Sequence, residues 1–395
     1  IMKISNNIMA AAIATCLTVG FSVPAQANSE TFKVGMPVAM TEFMAVFDQP
    51  FAGGFLLGVD EINAAGGIGG EIKIEVTQQD TRSEAAQSRL LMQEMIDDGS
   101  QVIFMSAGTS DVFAAGSLAT QSEVLAFTAA TVAGFDALTG NYVKTMGPGD
   151  NQAAAGAAIF AADELDAKTA WLLISPDDPY TAYSPRYFAE AFEAKGGEVV
   201  GEGSFNLFQQ EFGNVVQQIK ALPNEPDVIF TYAFEPDFPI FIKQVRAAGI
   251  KSKIIGGDAV DTPTIYSMGA SANDVYHMTL LPEGLEDRPA MANLLKAVRA
   301  AYGESMGLDA FTVSGYLTAM LIRDAVQATG STDPKDLNEW ISNLENHDTG
   351  LSLTSYKNVG AQPIVDLHFV EVRDGNRIHR STLRLDKDII PNAIH

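Results

Sequence analysis

The sequence predicts an α/β protein with two lobes, each a parallel sheet wound with helices on both faces. Short apolar runs alternate with amphipathic stretches along most of the chain, which is the βαβα pattern of such sheets. The alternation pauses at Gly147-Pro148-Gly149-Asp150 and then begins again. The chain has 395 residues, 47% of them hydrophobic, which is enough for two cores and too apolar for disorder.

The elements follow in order. Lys3, an apolar run over residues 8–23 and Val23-Pro24-Ala25-Gln26-Ala27 have the three parts of a secretory signal, with cleavage expected after Ala27. The run is shorter than the ~20 residues of a membrane span. Cys16, the only cysteine, lies inside it behind Thr15, where lipid attachment wants a smaller residue, so it is expected to leave with the signal. The exported chain then has no disulfide and is held together by its core alone.

Residues 32–38 read as a strand and 49–65 as a helix, with Phe51, Phe55, Val59 and Ile62 at three- and four-residue spacing. Five residues, Gly66-Gly67-Ile68-Gly69-Gly70, stop it. A strand over 72–76, a helix over 84–97, a strand over 101–105, a helix over 112–122 and a strand over 124–127 complete the first series. The second series has helices over 153–165, 185–195, 212–222 and 238–248, and strands over 170–174, 198–205, 228–232 and 253–255. Helices follow over 290–302 and 310–328, then an Asp333 cap with Pro334 in the first turn leads into 337–344. Residues 365–372 and 378–385, around Asp374-Gly375-Asn376, read as a β-hairpin.

The net charge of −24 argues against nucleic acid and anionic membrane surfaces as partners, since both would repel the chain. There is no Gly-x-Ser-x-Gly elbow, no His-Glu-x-x-His and no phosphate loop. The glycines at 66–70 follow a helix and precede a strand, the reverse of a dinucleotide fingerprint. His277, His347, His368, His379 and His395 form no helix-face ligand pair. No enzyme, cofactor or metal is therefore expected. Asp177 with Asp178, and Asp258 with Asp261, could serve as catalytic carboxylate pairs, but acidic pairs in turns are more often solvated.

Binding chemistry is expected at strand ends. The loops there are Met40-Thr41-Glu42-Phe43-Met44, Ser106-Ala107-Gly108-Thr109-Ser110-Asp111 and Thr128-Ala129-Ala130-Thr131 in the first half. The second half offers residues 175–180 with Tyr180, 233–236 with Phe234, and 256–261 with Asp258. The first set supplies neutral donors for an anion beside a helix N-terminus. The second supplies acidic and aromatic groups for a cation. A zwitterion held between the lobes fits both. An amide, a urea-like compound or a quaternary amine, held by the acids and rings, is the alternative.

Several segments resemble the type I periplasmic solute-binding proteins of ABC importers, within them the leucine/isoleucine/valine-binding family. They are Val34-Gly35-Met36-Pro37, the run from Gly58 to Gly69 with Asn63-Ala64-Ala65-Gly66-Gly67-Ile68, Asp80-Thr81, Asp227-Val228-Ile229 and Gln244 to Gly249. The resemblance implies two Rossmann-like lobes joined by a three-strand hinge, with a ligand cleft between them. Lobe 1 would comprise residues 28–148 and 284–350, and lobe 2 residues 149–283 and 351–395. It implies a ligand carboxylate at Gly108, Thr109 and Ala129 to Thr131, an ammonium at Asp258, and ligand contacts from Tyr180 and Phe234; the Glu42 loop would shape the side-chain pocket. Gly108 stands where the family often has a serine, and Phe43 and Phe47 depart from a plain leucine site. The implied protein is a periplasmic monomer that delivers a small amino acid to an inner-membrane ABC permease. A sensory binding protein that docks on a receptor shares all of these features.

Overall fold

The computed structural model describes residues 31–303 and 307–394. The expected signal, with Cys16 and the cleavage site after Ala27, lies outside the described residues. The first series runs β1 (Thr31–Val38), α1 (Ala45–Ala64), β2 (Lys73–Asp80), α2 (Ala85–Asp97), β3 (Val102–Phe104), α3 (Thr109–Gln121), β4 (Leu125–Thr128), α4 (Asp136–Thr139) and β5 (Val143–Thr145). Its strands pair in the order β2-β1-β3-β4-β5, all parallel.

The second series runs α5 (Asp150–Asp163), β6 (Thr169–Ile174), α6 (Pro179–Ala194), β7 (Glu198–Ser204), α7 (Gly213–Lys220), β8 (Val228–Thr231), α8 (Asp237–Ala247), β9 (Lys253–Gly256), α9 (Pro263–Ser267) and β10 (Val275–Thr279). Then α10 (Pro289–Tyr302), α11 (Ala310–Thr329) and α12 (Pro334–Ser342) return to the first sheet, where α11 lies along α1. A short ribbon of β11 (His347–Asp348) and β12 (Leu353–Thr354) follows. Finally β13 (Leu367–Arg373) and β14 (Asn376–Leu383) add an antiparallel edge to the second sheet, ordered β14-β13-β10-β9-β8-β6-β7. The protein is thus α/β with two parallel-sheet lobes.

Three differences from the sequence reading have physical causes. α1 begins at Ala45 rather than residue 49, and α6 at Pro179 rather than residue 185; each carries a proline inside it, Pro50 and Pro185. An internal proline removes one helical hydrogen bond and costs ~3 kcal/mol or more. Burial of Phe47, Phe51 and Phe55 on one helix, and of Tyr180, Tyr187 and Phe188 on the other, offsets it. The sequence reading gave no strand at β5, whose three buried residues are too few to show a period, or at β10. β10 is buried on both faces, so its Val-Tyr-His-Met-Thr sequence shows no alternation. The terminal hairpin matches its signal: Asp374 and Gly375 have φ of 50° and 77°, as a primed turn requires. Among the described residues, no helix is long and apolar enough to cross a membrane.

Candidate functional site

Both sheets share the doubly wound order in which the second strand of the series lies outside the first, so each has one place where neighbouring loops diverge to opposite faces. In the first sheet this lies between β1 and β3, in the second between β6 and β8. The loops at the two places face each other across a cavity of about 260 Å3.

The wall from the first lobe is built on a buried carboxylate. Asp48 of α1 is fully buried and accepts N–H bonds from Ala39 after β1 (2.7 Å) and from Ala107 after β3 (2.8 Å). It ties together the two loops that diverge there. Burial pushes its carboxyl up to about 7, against the pull of those N–H donors. Beyond Ala107, Gly108 precedes α3, whose first turn no side chain caps. N–H groups at that helix end, beside Thr109 and Ser110 in the cavity wall, suit an anion. A Cβ on residue 108 would come within 2.3 Å of Asp111 Oδ2, so a serine there would have to displace a buried carboxyl. Ala129, Ala130 and Thr131 continue this wall, with Thr128 Oγ1 accepting the Ala130 N–H at 3.0 Å.

The wall from the second lobe is acidic. Asp178 caps α6 by accepting the Tyr180 N–H at 2.8 Å, and both Asp178 and Thr109 of the opposite lobe line the cavity. The Tyr180 hydroxyl donates to Asp258 Oδ1 at 2.9 Å and accepts the Ala259 N–H at 3.3 Å. Behind them, at the start of α5, Asp150 is buried with Oδ1 lacking a hydrogen-bond partner, and the buried Tyr232 hydroxyl also lacks one. Burial raises the Asp150, Asp178 and Asp258 carboxyls; Asp150 is raised well above the usual range, with the Asp258 charge adding to the effect. No Lys or Arg lines the cavity among the described residues. The remaining surface is aromatic: Phe47 packs on Phe311 (5.2 Å between centroids) and Phe234 (6.1 Å), and Phe43 meets Phe208 at 5.1 Å. A cleft of this kind can bind and orient a small solute between two lobes. No group of three His, Cys, Asp or Glu side chains is placed to hold a metal among the described residues.

Residues 31–377 match the family described as periplasmic binding protein. The chain belongs to that family. Its members bind solutes and are not enzymes. This binding protein is 22% identical over 335 residues to the Leu/Ile/Val-binding protein of Escherichia coli, covering 84% of this chain and 88% of that protein. It is 22% identical over 315 residues to the leucine-, isoleucine-, valine-, threonine- and alanine-binding protein of Pseudomonas aeruginosa, covering 79% and 82%. Its fold is that of a branched-chain amino acid transporter substrate-binding protein from Streptococcus pneumoniae in complex with isoleucine (TM-score 0.78, 20% identity, 90% and 99% of the two chains). An R. palustris solute-binding protein in complex with 4-hydroxybenzoate is equally similar in fold (TM-score 0.77, 24% identity, 91% and 98%).

Of the residues singled out by sequence, Gly108, Thr109, Ala129, Thr131, Tyr180, Phe234 and Asp258 line the cavity of this binding protein. Glu42 does not: it is exposed, at φ 65°, in the turn that carries Phe43 to the mouth of the cavity. One member of each acidic pair weighed as catalytic is engaged elsewhere, while Asp178 and Asp258 face the cavity. Asp177 accepts the Leu207 N–H at 2.8 Å. Asp261 is buried against Arg377 (2.6 Å) and the Tyr266 and Thr279 hydroxyls. Although burial opposes it, Arg377 holds that carboxylate below the usual range. Sequence reasoning placed Asp178 in a binding loop without assigning it a ligand contact, and missed Phe208 and Phe311 in the wall and Asp48 and Asp150 behind it. The role of Asp178 as a cap was detectable, since an Asp before Pro179 marks a helix start. The others carry no local signal.

Proposed function

We propose that this binding protein captures an α-amino acid with an apolar or aromatic side chain and delivers it, from the periplasm, to an ABC permease. One observation carries the ligand class: an uncapped helix N-terminus and an acidic wall face each other across one small cavity that, among the described residues, no cationic side chain lines. An ammonium would sit against Asp258, with Asp178 and the Tyr180 hydroxyl beside it; a carboxylate would sit at Gly108, Thr109 and the Ala129-Thr131 stretch. The apolar group would lie among Phe47, Phe234 and Phe311. An aromatic acid without an ammonium fits poorly, because its one charge has the sign of the acidic wall. Lobe 1 is taken as residues 28–148 and 284–350, and lobe 2 as 149–283 and 351–395. Three chain crossings act as the hinge, and ligand that bridges both walls shifts the population to the closed form that a permease recognises. The protein is taken to act as a monomer after loss of residues 1–27.

The aromatic rings beside Asp258 favour a second reading, a quaternary amine. A thermal-shift screen separates the two. L-Leucine and L-phenylalanine at 100 times their dissociation constants should add about 2.7 kcal/mol. 3-Methylbutylamine, phenethylamine and 4-hydroxybenzoate, each lacking one charge, should not stabilise. Stabilisation by glycine betaine or choline alone would replace the amino acid with the quaternary amine.

A further inference from the structure

We infer that Phe43 and Phe208 form a gate across the mouth of the cavity, which biases the lobes toward closure before ligand arrives and slows ligand release. The two rings belong to opposite lobes and meet edge-to-face at 5.1 Å. Both line the cavity, yet Phe43 is 44% and Phe208 43% exposed, so they stand where the cavity opens to solvent.

Each ring is held there by backbone that local preference opposes. Phe208 has φ 66°, the left-handed region that favours glycine and is costly for a bulky aromatic residue. Carboxylates fix it in place: buried Asp237 accepts the N–H groups of Phe208 (2.7 Å) and Gln210 (3.1 Å), and Asp177 accepts that of Leu207. On the other side Glu42, at φ 65°, turns the chain into Phe43, and Ser83 Oγ accepts the next N–H, that of Met44, at 3.0 Å. Two independent strained turns aim two half-exposed rings at one point across the lobe boundary. Neither ring is needed to complete a core, so the strain is explained by what the rings do together.

The test compares the purified chain with Phe43→Ala, Phe208→Ala, the double variant and Phe208→Gly. Its kinetic arm rests on the amino-acid reading above and uses L-leucine and L-phenylalanine as probes in stopped-flow dissociation. Each single alanine variant should release the probe roughly 2- to 10-fold faster, the range of one aromatic pair. The double variant should release it more slowly than the product of the single effects predicts, because the Phe43–Phe208 contact is common to both, while Phe208 also meets Phe234 at 6.3 Å. Phe208→Gly should raise the thermal midpoint while still speeding release, which a purely structural role would not do. Unchanged rates, or single effects that multiply in the double variant, overturn the gate. If neither amino acid binds the parent chain, the ligand reading fails and small-angle scattering of ligand-free protein decides the gate. A larger radius of gyration in both single variants supports it; identical scattering overturns it.

Discussion

Asp258 and Asp48 show how much one carboxylate can decide. Asp258 is the acid that the cavity exposes beside Tyr180, and its partner in the proposed complex is a desolvated ammonium. Asp258→Ala should therefore cost about 2–5 kcal/mol of amino-acid affinity in calorimetry; affinity within error of the parent would remove the ammonium site. Asp48 acts one layer back, on the loops. Its folded carboxyl is raised to about 7, above its ordinary value, so the stabilisation linked to its protonation is complete at acid pH and is lost as pH rises through about 7. The thermal midpoint should fall between about pH 4 and pH 7 and level off above, and Asp48→Asn should flatten that slope. The asparagine leaves one loop N–H without a good acceptor, at about 1–3 kcal/mol, so the slope and not the level is diagnostic. In the sequence Asp48 looks like an ordinary acid near a helix start. Nothing local marks it as buried, because its burial depends on two loops from other strands.

At the scale of elements, the pairing of α1 with α11 places the Phe47 and Phe311 rings side by side in the cavity wall. The two backbones touch. A Cβ on Gly54 would stand 1.8 Å from the Thr312 carbonyl oxygen, and one on Gly315 1.9 Å from that of Phe51. Backbone atoms cannot rotate away, so Gly54→Ala and Gly315→Ala should each destabilise by about 1–3 kcal/mol or more in denaturant unfolding. An unchanged midpoint would mean that the helices are less closely packed than described. Helices α1 and α11 were legible from their apolar spacing, but the contact was not. Helix starts failed at Pro50 and Pro185 because local preference counts the lost hydrogen bond and not the burial that offsets it. β10 failed because period-two reading needs one solvated face.

For the whole molecule, ligand contacts on both walls predict closure. Saturating L-leucine or L-phenylalanine should lower the radius of gyration in solution scattering, and an amine that meets only the acidic wall should lower it less. Equal compaction by both would place the closing contacts on the acidic side alone.

Taken by itself, the sequence determined the α/β class, the repeat of two sheets, the loops that carry Gly108, Thr131, Tyr180 and Asp258, and the family resemblance. These follow from periodicity, turn residues and short motifs, which are local. Only the tertiary structure decided that Glu42 turns away while Phe43 reaches the mouth of the cavity, that Asp150 is buried behind the site, and that Phe208 crosses the mouth. Those outcomes depend on which distant elements cover a residue, and burial by distant elements leaves no trace in the residues beside it.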